Sequence, residues 1–114
     1  MVVTIRDVGG DNLDDLCQLC ITENKSDDPT FIRGVAEKRK WAVDMLHRWG
    51  SFAKLAYAGT SPAGLIQYEP IPGERAVRIH CIYVPEERYW RKGIARQLLA
   101  KLIAEVRTPG RWFG

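Results

Sequence analysis

The stretch from Ala76 to Val106 constrains the fold more than any other part of the sequence. It begins with a β-rich segment, which ends at Pro85 because proline cannot donate a ladder hydrogen bond. A charged loop follows, and Gly93 then precedes apolar residues at helical spacing. The pattern therefore predicts a strand that runs through a short loop into an amphipathic helix.

The other segments alternate between strand and helix patterns, separated by glycine, proline and polar residues. Asn12 and Asp28 are predicted to cap two helices, with Pro29 at the first position of the second helix. Pro70 is expected to break the sheet before the last strand. The predicted strands are 2–8, 52–58, 63–71 and 76–84, and the predicted helices are 12–23, 29–49 and 93–107.

The resulting order, β-α-α-β-β-β-α, predicts an α+β fold with a mostly antiparallel central sheet flanked by helices. With 114 residues, the chain is expected to form a single domain, 1–114. Hydrophobic residues make up 46% and charged residues 27%, as in globular proteins. We see no apolar run of membrane-spanning length and no leader pattern, so the cytoplasm is the expected location.

Positive charge is concentrated at the end of the chain. Residues 1–84 carry ten Lys or Arg and eleven Asp or Glu, a net charge of −1. Residues 85–114 carry seven Lys or Arg and three Asp or Glu, a net charge of +4. Such a local excess favours an anion site over a nucleic-acid surface, and a solvated helix face is the alternative. Cys17 and Cys20 fall on the apolar face of the first helix, so they are interpreted as core residues rather than metal ligands.

The start of the last helix is the predicted anion site. The first N–H groups of a helix have no intrahelical partner, and the helix dipole is positive there. Gly93 allows a ligand to approach the backbone closely. Four cations surround this point: Arg88, Arg91, Lys92 and Arg96. The spacing is neither that of a P-loop nor that of a dinucleotide fingerprint.

This stretch resembles motif A of the GNAT-type N-acetyltransferases, in which Q/R-x-x-G-x-G/A opens the helix. Here the motif reads Trp90-Arg-Lys-Gly-Ile-Ala95, and Trp90 departs from the usual first residue. The resemblance implies acetyl-CoA as acyl donor, a primary amine as acceptor and no metal. It also implies that the backbone of Ile82, Tyr83 and Val84 pairs with pantetheine. The residues implied to hold the pyrophosphate are Trp90, Arg91, Lys92, Gly93, Ile94, Ala95 and Arg96.

Acetyl transfer to an amine requires a base, and the resemblance implies that this base lies on the strand before motif A or on a neighbouring strand. His80 is the first candidate, because imidazole is the side chain suited to proton transfer near neutral pH. Glu69, on the preceding strand, is the second. Strict alternation places Cys81 on the opposite face from His80, so a covalent cysteine mechanism is not expected.

The family's fold normally continues beyond the motif A helix, so the C-terminal part is expected to be missing or shortened here. Its general acid, a tyrosine on a later helix, has no matching position. An open sheet edge would then favour a homodimer. Two alternatives remain open: a non-catalytic CoA-binding or sensory domain of the same fold, and a small basic interaction module.

Overall fold

The computed structural model describes residues 2–19, 29–50, 52–74 and 76–108 of the chain. It confirms the predicted α+β class and the predicted order of elements. The strands are β1 (Val3–Asp7), β2 (Ala53–Ala58), β3 (Ser61–Ile71) and β4 (Ala76–Tyr83), and the helices are α1 (Leu13–Leu19), α2 (Pro29–Trp49) and α3 (Ile94–Val106). The predicted cap Asp28 and the second cysteine, Cys20, lie outside the described residues.

The four strands form one antiparallel sheet in the order β1-β2-β3-β4, so β1 and β4 are its edges. Pro70 lies inside β3, within the predicted strand 63–71, and pairs with Val77, so the expectation that it breaks the sheet was wrong. The last register pair between β2 and β3 is Ala53 with Gln67, so among the described strands β4 alone pairs with β3 at Pro70. A proline is tolerated there because one side of the strand needs no donor. The chain turns instead at a 3-10 turn, Pro72–Glu74.

The sheet separates two hydrophobic clusters, because successive side chains of a strand point to opposite faces. The face covered by α1 and α2 buries a cluster that includes Leu16, Met45 and Phe52. The face covered by α3 buries a second cluster that includes Tyr68 and Leu98. Among the described residues, no helix is long and apolar enough to cross a membrane.

The junction between β1 and α1 is held by polar contacts. Asn12 does not act there as the predicted helix cap: its Oδ1 accepts the Gly9 N–H at 2.7 Å, and its Nδ2 donates to the Asp7 carbonyl at 3.1 Å. The Tyr57 hydroxyl donates to Asp15 Oδ2 at 2.7 Å and thereby ties α1 to β2. Burial, together with this carboxylate, raises the pKa of the Tyr57 phenol to about 12.

We expect the contribution of Tyr57 to stability to be lost in alkali. Because the folded-state pKa is raised, this contribution is present below the ordinary tyrosine pKa of about 10 and disappears as the pH rises towards 12. At neutral pH, Tyr57→Phe should lower the free energy of unfolding by about 1–3 kcal/mol, since it removes a hydrogen bond to a carboxylate. Urea unfolding of both proteins at pH 8 and pH 11 tests this, and an equal difference at both pH values would contradict it.

A buried ion network joins α3 to the sheet. Lys54 on β2 is only 4% exposed, and its ammonium contacts the carboxylates of Asp7 on β1 and Glu105 on α3. It also lies 5.7 Å from the centre of the Tyr68 ring. Burial lowers the pKa of the Lys54 ammonium, but its two carboxylate partners outweigh burial and raise it above the usual range. Lys54 is therefore charged throughout the neutral pH range.

Candidate functional site

A cleft of about 490 Å³ opens where β4 leads into α3. Its walls come from the end of the strand, from the charged loop and from the first turn of the helix. The lining residues are Val84, Tyr89, Trp90, Arg91, Gly93, Ile94, Ala95 and Arg96. The segment predicted to form an anion site thus supplies the lining of this cleft.

The backbone in the cleft has two residues in the left-handed region. Gly93 has a φ of +77° at the N-cap of α3, and Arg91 has a φ of +60°. No side chain caps the helix, and its first hydrogen bond runs from the Gln97 N–H to the Gly93 carbonyl at 2.9 Å. The N–H groups before Gln97 consequently have no intrahelical acceptor. They are available to an anion in the cleft.

Two aromatic residues shape the loop before the helix. The indole N–H of Trp90 donates to the Val84 carbonyl at 2.7 Å, so the loop is fastened to the end of the strand. Tyr89 is buried against the α3 side of the core, and the Arg88 guanidinium lies 4.7 Å from its ring centre. The tryptophan that departs from the motif therefore has a structural role, through a hydrogen bond that the sequence did not indicate.

The structure brings together most of the residues predicted to hold a pyrophosphate. Lys92 is exposed but does not line the cleft, and Arg88 forms an ion pair with Glu86 at 3.3 Å. Ile82 and Tyr83 lie half exposed at the end of β4, next to the cleft rather than in its wall.

Gly64 on β3 is a residue of this region that sequence reasoning missed. A Cβ atom at Gly64 would lie 3.1 Å from Cγ2 of Ile94 and from Cγ2 of Val84, and 3.3 Å from the Tyr83 carbonyl. These distances are shorter than ordinary van der Waals contact, so the glycine allows the start of α3 to pack directly on the sheet. Only the tertiary packing reveals this requirement.

We expect Gly64→Val to lower the free energy of unfolding by about 1–3 kcal/mol, because the added methyl groups overpack this contact. Gly10→Val is the matched control, since a Cβ atom at Gly10 meets nothing within 4 Å. Urea unfolding of both variants measures the difference. Equal stability of the two variants would contradict the proposed close contact.

The two candidate bases are neighbours on the face covered by α2. His80 Nε2 lies 3.4 Å from Glu69 Oε1. The register between β3 and β4 shifts here, from Gln67 opposite Cys81 to Tyr68 opposite Ile79, so His80 is an extra residue in a β-bulge. The predicted alternation was therefore wrong at this point, because Cys81 packs against the core on the α2 face and His80 contacts α2 as well.

Two further residues, Trp41 and Gln67, lie on this face. The Trp41 ring of α2 meets the His80 ring edge-on, with centroids 6.3 Å apart, and it meets Phe52 at 5.4 Å. Gln67, the cross-strand partner of Cys81, is 6% exposed, and within the described part of the chain its Nε2 has no hydrogen-bond partner. Polar side chains of β3 and β4 therefore share this face with an aromatic wall.

Comparisons with solved structures place this fold among acetyltransferases. PaiA N-acetyltransferase from Thermoplasma acidophilum, solved with coenzyme A, is 17% identical with a TM-score of 0.71, and the alignment covers 93% of this chain and 72% of that one. Ribosomal-protein-alanine N-acetyltransferase from Brucella melitensis is 18% identical with a TM-score of 0.66, covering 92% and 72%.

A third similar structure is Arabidopsis thaliana Naa50 in complex with the bisubstrate analogue CoA-Ac-MVNAL. It is 23% identical with a TM-score of 0.61, and the alignment covers 91% of this chain and 64% of that one. No curated protein matches the sequence significantly.

The sequence itself matches the model of the acetyltransferase (GNAT) family over residues 14–111. This match includes β2, β3 and β4, both long helices and the loop that lines the cleft, whereas β1 precedes it. The resemblance found in the sequence is thereby confirmed, and the chain belongs to the GNAT acetyltransferase family.

Proposed function

We propose that this chain transfers an acetyl group from acetyl-CoA to a primary amine of a small molecule or protein. The observation that carries the proposal is the cleft at the start of α3, with the left-handed Gly93 and uncapped helical N–H groups. Arg91 and Arg96 line the same cleft. Such a site suits the doubly charged pyrophosphate of CoA, because backbone donors, the helix dipole and cations act on one anion.

With the pyrophosphate in this cleft, the pantetheine arm of CoA would run along β4. The pantetheine arm would leave the cleft along the exposed end of β4, where Ile82 and Tyr83 offer backbone groups. The Val84 carbonyl already accepts the Trp90 indole N–H, so Val84 would contribute mainly through packing. His80 lies four residues before Val84, at most about 13 Å away, which is the length of four fully extended residues. An extended arm would therefore bring the thioester towards His80.

Acetyl transfer from the thioester to the amine needs a base beside the reacting atoms. The amine nitrogen attacks the thioester carbonyl, a C–N bond forms and the C–S bond breaks. His80 and Glu69 are the proposed source of the base that removes a proton from the attacking nitrogen. The departing CoA thiolate takes up a proton from water.

Binding and reaction can be tested separately. Addition of acetyl-CoA at 100 times its dissociation constant should stabilise the protein by about 2.7 kcal/mol, seen as a rise in melting temperature. Release of free thiol from acetyl-CoA with a panel of amines then measures transfer. Binding without transfer would favour the non-catalytic alternative, and no shift at millimolar acetyl-CoA would contradict both.

Arg91→Gly should separate stability from binding. A left-handed backbone costs a non-glycine residue about 1–2 kcal/mol, and glycine removes this strain from the folded protein. Glycine also makes the unfolded chain more flexible, which cancels part of the gain in stability. We expect the free energy of unfolding of this variant to exceed that of the wild type by about 0.5–1 kcal/mol. Its affinity for acetyl-CoA should fall several-fold, because the cleft loses a cation. Arg91→Lys keeps both charge and strain and serves as the control. Tighter binding by Arg91→Gly would contradict the role of the cation.

We also propose that two copies associate through residues 76–79 of β4, which leaves the backbone of Ile82 and Tyr83 to pantetheine. Among the residues that the structure describes, no strand pairs with the outer edge of β4, and an antiparallel strand edge is complementary to itself about a two-fold axis. Ile79 of β4 is 43% exposed and Ile103 of α3 is 41% exposed. Both residues line an apolar groove of about 200 Å³. Light scattering should report a dimer that Ile79→Lys weakens, and a monomer at high concentration would contradict the proposal.

A further inference from the structure

The bulge in β4 orients His80 towards the preceding strand. In a regular ladder, His80 would face the same side of the sheet as Ile82, which pairs with Ile66 of the α3 cluster. The extra residue turns its imidazole to the α2 face instead, where Glu69 Oε1 lies 3.4 Å from Nε2. A bulge beside an active site commonly has this effect of re-aiming one side chain.

The imidazole is supported on two sides. Glu69 lies at one nitrogen, and the Trp41 ring meets the imidazole ring at 89° with 6.3 Å between centroids. Trp41 is itself packed edge-on against the fully buried Phe52, so this support rests on the core. The His80 and Glu69 side chains remain 35% and 32% exposed, so they are both supported and accessible.

A neutral imidazole has one nitrogen that donates and one that accepts. A carboxylate can only accept, so Glu69 selects the form of His80 in which Nε2 carries the hydrogen. Nδ1 then keeps the free electron pair. We infer that Glu69 is a positioning residue that orients His80 through Nε2, and that His80 Nδ1 is the atom that accepts the proton from the acceptor amine.

This inference rests on the proposed acetyl transfer and gives different roles to the two candidate bases. When the amine nitrogen attacks, its proton moves to Nδ1, and the imidazolium that forms retains its Nε2–H bond to the Glu69 carboxylate. The carboxylate stabilises that cation but does not itself touch the substrate. Glu69 therefore acts only when His80 is present.

A double-mutant cycle tests this dependence. His80→Gln should lower kcat on the order of 100-fold and Glu69→Gln roughly tenfold, each with little change in KM for acetyl-CoA. The double variant should be no slower than His80→Gln alone, because the carboxylate has nothing left to orient. Glu74→Gln, the same exchange at an exposed residue of the 3-10 turn, is the matched control. Additive losses, or an unchanged kcat in Glu69→Gln, would overturn the inference.

A measurement without substrate distinguishes this inference from the proposed function. The chain contains two histidines, so nitrogen-15 spectra of the imidazoles resolve His80 from His47 on the exposed side of α2. Glu69→Gln should move the His80 ring-nitrogen signals and leave those of His47 unchanged. If the wild type acetylates no amine but these signals move, the proposed acetyl transfer is refuted and the contact between Glu69 and His80 is supported. If the His80 signals do not move, the positioning role is refuted.

Discussion

Gly93→Asp is expected to abolish binding of acetyl-CoA while the chain still folds. The substitution places a carboxylate where the N–H groups of α3 and the cations of the cleft would face a pyrophosphate. It also forces a side chain into a backbone with a φ of +77°, although aspartate is among the residues that tolerate this region. The expected readout is complete loss of the rise in melting temperature that acetyl-CoA produces.

Gly59→Asp is the matched control for this experiment. Gly59 has a φ of +64° in the turn between β2 and β3, and a Cβ atom there, as at Gly93, meets nothing within 4 Å. Both variants carry the same new charge and a similar backbone strain of about 1–2 kcal/mol. Only Gly93→Asp should lose the response to acetyl-CoA. If it still binds as tightly as Gly59→Asp, the cleft at the start of α3 is not the binding site.

Lys54→Met is expected to have the largest effect on stability. The substitution removes the ammonium that lies between Asp7 and Glu105, and the Glu105 side chain is only 11% exposed. Breaking a buried ion pair leaves an uncompensated charge and costs about 3–5 kcal/mol. Since small domains are stable by about 5–15 kcal/mol, a large part of the total would be lost. Urea or thermal unfolding at neutral pH measures this loss.

Lys101→Met is the control, because Lys101 is an exposed lysine of α3 beside the same network. It should change the free energy of unfolding by no more than about 0.5 kcal/mol. The double variant Lys54→Met/Glu105→Leu should recover much of the loss, since well-packed apolar residues often replace buried ion pairs without penalty. A Lys54→Met protein as stable as Lys101→Met would show that the network contributes little.

The order of elements could be predicted from the sequence because the signals for it are local. Pro29 and Gly50 mark the ends of α2, and Gly50 has the left-handed backbone expected after a helix. Gly93 at the start of α3 is equally local. The cleft was predicted for the same reason, since one continuous segment, 84–96, supplies its lining.

The remaining features depend on which strands become neighbours. Strict alternation placed His80 and Cys81 on opposite faces, and the bulge that overturns this depends on the register with β3. The need for glycine at position 64 arises from Ile94, thirty positions later. Lys54 gave a weak signal, as the single charge within an otherwise apolar strand, but its partners lie on β1 and α3.

The division of the core by the sheet has a consequence for engineering. The α2 cluster and the α3 cluster share no buried residue, so substitutions in one should add to substitutions in the other with little coupling. Substitutions of Trp41 and its neighbours, beside the proposed base His80, should therefore leave the cleft around Gly93 intact. Variants with substitutions on the α2 face should keep the contacts of the α3 face. Stabilising substitutions on the α3 face can therefore be selected separately and then combined with them to restore the free energy of unfolding.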